Sequence, residues 1–412
     1  MSAQNRLQFG LIASVLALST SQASAQPQQL APAKAVGTIR VASYNVSFNR
    51  KMAGELTRDL RDRHPQVIEI AAIIRALQPD ILLLNEIDFS SEEDHAALFA
   101  DQHLADQNTD LLGHSAWPMP HRFSAPVNTG VASGLDLNQD HQLGSPEDAW
   151  GFGVFPGQYG MAILSRYEID RSEIRTFQNF LWSSMPGALR PRALGSPEFY
   201  TEEVWKKLRL SSKSFWDVPI QTPHGKVHIL SSHPTPPAFD GPEDRNGCRN
   251  HDEIRMISDY ISTDQSSYLV DDRGGRGGIA ATSKFVIVGD LNADPVDGNS
   301  RSQAIRRILA HPLVQSAPTP TSRGAVSAAQ QQRGANEHHH GKPETDTADF
   351  SDQVVGNLRA DYVLPSQHFK IINTGVVWPH REDFDPAVFP RIQDAIHATD
   401  HRLVWIDVGA KL

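Results

Sequence analysis

Among 412 residues there is a single cysteine, Cys248. No internal disulfide is possible, so the fold must rest on its apolar core and on any metal it binds. Positive charge is also scarce: 38 lysines and arginines face 48 aspartates and glutamates, a formal charge of −10, with no basic tail or long positive run. That balance argues against passive adhesion to nucleic acid or anionic lipid. It leaves phosphate chemistry open, because a bound dication reverses the local field where an anionic substrate sits. Internal repeats are missing. The one long apolar stretch, Leu7 to Leu18, falls short of the roughly 20 residues that a membrane-spanning helix needs. Arg6 precedes it and Ala23-Ser24-Ala25 follows as a small-x-small cleavage site, the pattern of an export signal. The expectation is cleavage after Ala25, a leader over residues 26–37, a secreted or periplasmic protein and no stable membrane insertion. Nothing points to a protein partner.

What is present is a rhythm of strands and helices. Thr38 to Val46 alternates apolar and polar residues as a half-buried strand does. Val67, Ile70, Ala71, Ile74 and Leu77 recur at helical spacing, and Pro79 stops that helix before the solid apolar run Ile81 to Leu84. Further strands are predicted at 161–164, 218–221, 227–230, 285–288, 360–364 and 403–408, with helices around 253–261 and 302–309. Elements interleaved in this way along the whole length predict one α/β domain over residues 38–412.

Three stretches break the rhythm. Residues 113–158 and 178–216 are rich in Pro, Gly, Ser and Trp, and 316–358 in Gln, Gly, Ala and His. Long loops in a compact domain are lids or loosely ordered insertions, and the third reads as loosely ordered. Its His338, His339 and His340 are consecutive and converge poorly on a metal. In the first, Asp136, Asn138, Asp140 and Gln142 alternate, with Glu147 at the twelfth position, as oxygen ligands do in a structural Ca2+ loop. His141 stands where such loops have glycine, and Asp148 is an alternative to Glu147. An ordinary acidic turn reads the same residues equally well.

The chemistry lies at strand ends. Phe285 to Pro295 runs a buried strand into Asp290-Leu291-Asn292, lifting a carboxylate and an amide out on one side of the chain. Ile81 to Leu84 delivers Asn85-Glu86, the first strand delivers Asn45, and Thr399-Asp400-His401 precedes the last. Metal-assisted phosphoester hydrolysis needs such parts: hard oxygen ligands, an imidazole and neutral donors for phosphate.

In order along the chain, the blocks SYNV (Asn45), LLLNEID (Glu86), YGMAILSR (Tyr159), SSHP (His233), VGDLNADP (Asp290, Asn292), ADYVLPS (Asp361) and TDHR (Asp400, His401) make the sequence resemble the endonuclease/exonuclease/phosphatase superfamily. That resemblance implies a four-layer α/β sandwich, two packed mixed β-sheets flanked by helices. It implies a Mg2+ (or Mn2+) ion held by Glu86 with Asn45 and Asp400. His401 would meet the phosphoryl group with Asp361 orienting it, Asp290 would activate water, Asn292 would bind a phosphate oxygen, and His233 would act as general acid or phosphate contact. Tyr159 occupies a phosphate-contacting position of the abasic-site endonucleases, and a core tyrosine reads it equally well. Lys213, Arg245, Arg249 and Asn250 are further candidate phosphate contacts, with Asn246 and His251 beside them; a surface charge beside a strand, for Lys213, and a capped, solvated helix start, for the rest, are the competing readings. The Pro-rich turn after His233, PTPPAFDGPEDRNG, departs from better known members and narrows the expected cleft. The expected activity is hydrolysis of a small phosphodiester or phosphomonoester. The competing readings are an extracellular nuclease, with nucleic acid as substrate only, and a non-catalytic calcium-binding or adhesion protein on the same scaffold.

Overall fold

Runs rich in Val, Ile, Leu and Phe build the longer of thirteen strands in the computed structural model, which describes residues 29–411. They are β1 (Ile39–Phe48), β2 (Ile81–Ile87), β3 (His121–Phe123), β4 (Met161–Ser165), β5 (Arg175–Thr176), β6 (Phe215–Thr222), β7 (Gly225–Ser232), β8 (Phe285–Asp290), β9 (Ala348–Asp349), β10 (Asn357–Leu358), β11 (Asp361–Pro365), β12 (Phe369–Val376) and β13 (Val404–Ala410). One sheet has the order β12-β13-β1-β2-β4-β3 and the other β11-β8-β7-β6-β5, each mixed, while β9 and β10 form a separate ribbon.

Alternation decides the layers. Val286 and Val288 of β8, with Trp216, Val218, Val227 and Ile229 of β6 and β7, join the core that contains β1 and β2. Their neighbours Phe285, Ile287, Phe215 and Leu230 face the other way, into a second core with Ile254, Met256 and Ile257 of the helix Arg245–Tyr260. The helix Pro65–Leu77 covers the first sheet, buried through Val67, Ile70, Ile73, Ile74 and Leu77. Each such side chain contributes about 1.5–3 kcal/mol by leaving water. The result is helix, sheet, sheet, helix, the four-layer sandwich. No described helix is long and apolar enough to cross a membrane.

Two expectations are corrected here. The leader is not a free linker from residue 29 onward: Ala31 is buried in the first core and the Pro32 carbonyl accepts from Arg40 Nη2 at 2.9 Å. The export-signal segment itself lies outside the described residues. The 316–358 stretch is ordered, with a helix Arg323–Gln332 and the β9–β10 ribbon. Its polar composition misled because its order comes from long-range bonds: Arg402 Nη2 to Asp349 Oδ2 (2.7 Å) and the Asp349 amide to the Asp400 carbonyl (2.7 Å).

Candidate active site

Register brings distant blocks to one mouth. β1 and β2 are parallel, pairing Asn45 with Asn85, so the chain leaves both strands on the same edge. β7 and β8 run parallel in the other sheet, and antiparallel β11 starts at that edge with Asp361 opposite Asp290. His233 follows β7 and His401 precedes β13. Across the gap between sheets, Asn45 Nδ2 donates to Asp290 Oδ2 (3.1 Å), and the Asp290 amide donates to Asn85 Oδ1 (3.3 Å). A β-carbon at Gly289 would fall 2.0 Å from the Ser232 carbonyl oxygen, so only glycine allows β7 and β8 to approach this closely beside the site.

Glu86 (φ 59°), Tyr159 (56°) and Asn292 (50°) all adopt left-handed backbone conformations. For a residue with a β-carbon this costs about 1–2 kcal/mol, and the surroundings must enforce it. Asp88 does so for Tyr159, whose amide donates to Oδ1 (3.0 Å), while Oδ2 accepts the Arg50 amide (2.9 Å). Burial pushes the Asp88 carboxyl up to about 7.

Two three-residue groups share Asp290. In the first, Glu86, His233 and Asp290 present ligand atoms within 4.8 Å of one another. His233 Nε2 lies 3.5 Å from Asp290 Oδ2 and 4.0 Å from Glu86 Oε1. Both its ring nitrogens are sealed from solvent without a hydrogen-bond partner. Burial, then the Lys213 ammonium and His401, hold His233 well below the ordinary histidine range, so it is neutral. Burial raises Glu86, opposed by the Asn45 hydrogen bond and by His401 and Lys213. Two oxygen ligands beside an orphaned neutral imidazole fit a divalent cation.

In the second group Asp361, His401 and Asp290 are chained. His401 Nδ1 donates to Asp361 Oδ2 (2.9 Å), leaving Nε2 3.5 Å from Asp290 Oδ2. Burial works against the imidazolium, but Asp361 and Asp290 outweigh it and raise His401 well above its usual value. Burial is also the first cause lifting Asp290 to about 6, with His401 opposing.

Sequence reasoning missed the parts that hold this chain. Thr347 Oγ1 donates to Asp361 Oδ2 (2.8 Å) and accepts the Ala360 and Asp361 amides (3.0 and 2.9 Å). The Phe350 ring meets His401 edge-on at 5.3 Å. Both lie in the stretch whose composition read as loose, and only the metal-ligand block TDHR next to which they pack hinted at them. Glu253 was missed too: it accepts the amides of Ser212 and Thr235, each at 2.6 Å.

Other candidates take different places. Asn45 turns its amide nitrogen to Asp290 (3.1 Å) and its oxygen to the Ser47 amide (3.2 Å), so its nitrogen steadies the Asp290 carboxylate as a donor. Asp400 stays exposed outside both groups, its carboxylate accepting from Ser47 Oγ at 3.5 Å. Asn292 donates its side-chain nitrogen to the Pro234 carbonyl (3.2 Å) and its amide to Asp290 Oδ1 (3.0 Å), steadying the turn after His233. Arg249 is withdrawn as a phosphate contact: its guanidinium is spent on the carbonyls of Leu210, Trp150 and Arg209, tying both insertions to the helix. Arg245 pairs with Glu243 and with the Phe239 carbonyl. Asn250 donates to the Thr235 and Leu291 carbonyls (2.9 and 3.0 Å) and so positions loops. Asn246 and His251 are likewise engaged, with Ala238 and Asp252. Tyr159 is half-buried near Glu86 and Asp88, and Lys213 is buried against the first group.

The Asp136–Glu147 loop does not converge on a cation. Asp136 Oδ2 accepts the His141 amide (3.0 Å), Asp140 Oδ1 the Gln142 amide (2.8 Å) and Asn138 Oδ1 the Asp140 amide (3.1 Å), while Asp148 takes the amides of Leu137 and Gly144. Oxygens spent on backbone amides describe an acidic turn, and Glu147 is exposed with Gln142. His339 Nε2 bonds the Val355 carbonyl (2.8 Å), and none of His338, His339 and His340 belongs to a metal-competent group among the described residues.

The chain matches the model of the Endonuclease/Exonuclease/phosphatase family over residues 42–401. Among solved structures it is similar to an endonuclease/exonuclease/phosphatase from Beutenbergia cavernae at 18% identity and TM-score 0.50, covering 91% of this chain and 72% of that one. It is also similar to the human Nocturnin catalytic domain (16%, 0.40, covering 91% and 94%) and to a mannosyl-6-phosphatase from Bacteroides thetaiotaomicron (13%, 0.42, covering 90% and 99%). No curated protein matches it. With the family's motifs spanning nearly its whole length and meeting at one mouth, the chain belongs to the endonuclease/exonuclease/phosphatase family, whose members are typically metal-dependent phosphoester hydrolases.

Proposed function

We propose that the protein is an exported phosphoesterase, dependent on Mg2+ or Mn2+, that hydrolyses a P–O bond of a small organic phosphoester by in-line attack of water. The observation that carries this reading is the sharing of Asp290 between a metal-competent group and a carboxylate–imidazolium chain. Glu86, Asp290 and His233 would hold the cation, which supplies polarisation of a phosphoryl oxygen and neutralises developing charge. Asp290, 3.5 Å from both imidazoles, would accept the proton of the attacking water. His401, kept charged by Asp361, donates to a phosphoryl oxygen through Nε2. The export half of the proposal rests on the Leu7–Ala25 segment alone.

Preference for a small substrate is supported by the insertions around the mouth. Asn128 Nδ2 donates to the Gln178 and Ser211 carbonyls (2.6 and 2.8 Å), and Arg209 donates to Asn128 Oδ1 (2.6 Å), so the first two insertions are locked together. The test is turnover of p-nitrophenyl phosphate, bis(p-nitrophenyl) phosphate and plasmid DNA, with and without chelator. Chelator-sensitive release of nitrophenol is expected, with slow plasmid cleavage. Plasmid cleavage at comparable rates would establish a nuclease instead, and no turnover of any ester would leave a non-catalytic protein.

A further inference from the structure

Lys213 is 6% exposed, yet among the described residues nothing accepts a hydrogen bond from its ammonium and no carboxylate pairs with it. Burial works against its charged form and lowers it below the usual lysine range, opposed by the nearby carboxylates of Glu253, Glu86 and Asp290. A buried, unpartnered cation is costly to hold, so its retention beside a reaction centre needs an account. Three observations say what it faces. The backbone of Lys213 is fixed on both sides, by the Asn128 amide donating to its carbonyl (3.0 Å) and by Glu253 gripping the preceding Ser212 amide. The same Glu253 carboxylate grips the Thr235 amide, which clamps the segment before β6 to the turn after His233. Around that clamp polar atoms are orphaned together: Ser212 Oγ, Thr235 Oγ1, Asn250 Oδ1 and both nitrogens of His233. The ammonium of Lys213 is not sealed with them.

We propose that Lys213 is a substrate contact, its ammonium taking a terminal phosphoryl oxygen on the His233 side of the site and so selecting phosphomonoesters over phosphodiesters. The proposal rests on the phosphoesterase reading above. A monoester presents three unesterified oxygens and roughly two charges at neutral pH. His401 and the cation on Glu86 and Asp290 account for two of those oxygens, and Lys213 is the free donor for the third. In a diester that third oxygen is esterified: it carries no charge, accepts poorly from an ammonium, and its carbon substituent must fit between the clamped loops.

Native protein, Lys213→Gln and Lys213→Arg are compared in Mg2+ on p-nitrophenyl phosphate and bis(p-nitrophenyl) phosphate. The glutamine variant should lose monoester kcat/KM by on the order of 10- to 100-fold, chiefly through KM, and diester kcat/KM by less than about 3-fold. Arginine should restore part of the loss. Calorimetric titration with inorganic phosphate in Mg2+ needs no turnover, and the glutamine variant should bind at least about 10-fold more weakly. Thermal melting separates a merely structural role: removing an unpartnered ammonium should leave the midpoint level or raise it. Equal phosphate affinity in native and variant protein overturns the proposal, as does an equal loss on both esters. No turnover of either ester, with phosphate binding lost only in the variant, removes the phosphoesterase reading and leaves the Lys213 contact standing.

Discussion

Two of the aspartate–histidine pairs among the described residues share nearly the same local geometry, and they differ in everything around them. At the mouth, His401 Nδ1 bonds Asp361 at 2.9 Å; at the far end of the second sheet, His228 Nδ1 bonds Asp217 at 2.8 Å. The far pair is closed. Asp217 Oδ2 also accepts the Tyr260 hydroxyl (2.6 Å), and Arg175 locks Tyr260 to Asp271. It borders an open depression of about 530 Å3 that Glu173 and Asp271 also line, but among the described residues no three metal-ligating side chains converge there. The mouth pair is open: Asp361 Oδ1 and both His233 nitrogens lack partners, and Asp290 stands within 3.5 Å of two imidazoles. An aspartate–histidine bond is thus structural by default. Unmet polar groups and crowded carboxylates turn one into chemistry.

The contrast can be broken most directly at its centre. Glu86→Gln should cut turnover of a phosphomonoester by about 10³-fold or more while barely moving the melting midpoint in chelator. The same variant should lose the stabilisation that excess Mg2+ confers, about 2.7 kcal/mol at 100 times Kd in the native protein. His401→Ala should cost about 10²- to 10⁴-fold in kcat, whereas His228→Ala should leave kcat/KM within about twofold. Activity loss in His228→Ala at temperatures where it is folded would erase the distinction drawn here. Thr347→Val, which unclamps Asp361, should lower kcat about tenfold with KM unchanged, read in full saturation curves. Tyr260→Phe should leave activity intact and reduce stability by about 1–3 kcal/mol, since the buried Asp217 loses a donor.

The smallest effect concerns a buried carboxyl outside both pairs. Burial, then Asp294, Asp297 and Glu344, push Asp346 up to about 8. Because the folded value exceeds the ordinary one, its contribution is whole below about pH 4 and is lost as pH rises through about 8. Asp346→Asn should therefore flatten the decline of stability with pH over that window, measured by denaturant titration. A decline unchanged in the variant would assign it to other groups.

Most site residues were legible because they punctuate buried strands. Glu86, Asp290 and His233 each end an apolar run, and a polar residue at the end of a buried strand has to emerge at the edge of the sheet. The four-layer fold followed from the same alternation together with the family's blocks. The short strands β3 and β5 were invisible, being two or three residues long. β12 was missed because only one strand pairs with it, through an irregular register between Ile371 and Asn373, so its pattern of burial is broken. Arg245, Arg249 and Asn250 stayed open between phosphate contact and helix start because charge and amide groups advertise a phosphate contact and a loop clamp identically. Which one they become depends on carbonyls contributed by chain far away.

Local sequence was enough to determine which side chains would emerge at strand ends and that a metal-assisted phosphate chemistry was within their reach. Period and polarity act over a few residues, and that is all those inferences require. The tertiary structure alone decided that Asp290 serves two groups, that Thr347 and Phe350 back His401, and that Lys213 stands unpartnered beside His233. Such facts depend on which atoms remain unsatisfied after packing, and satisfaction is settled between segments hundreds of residues apart.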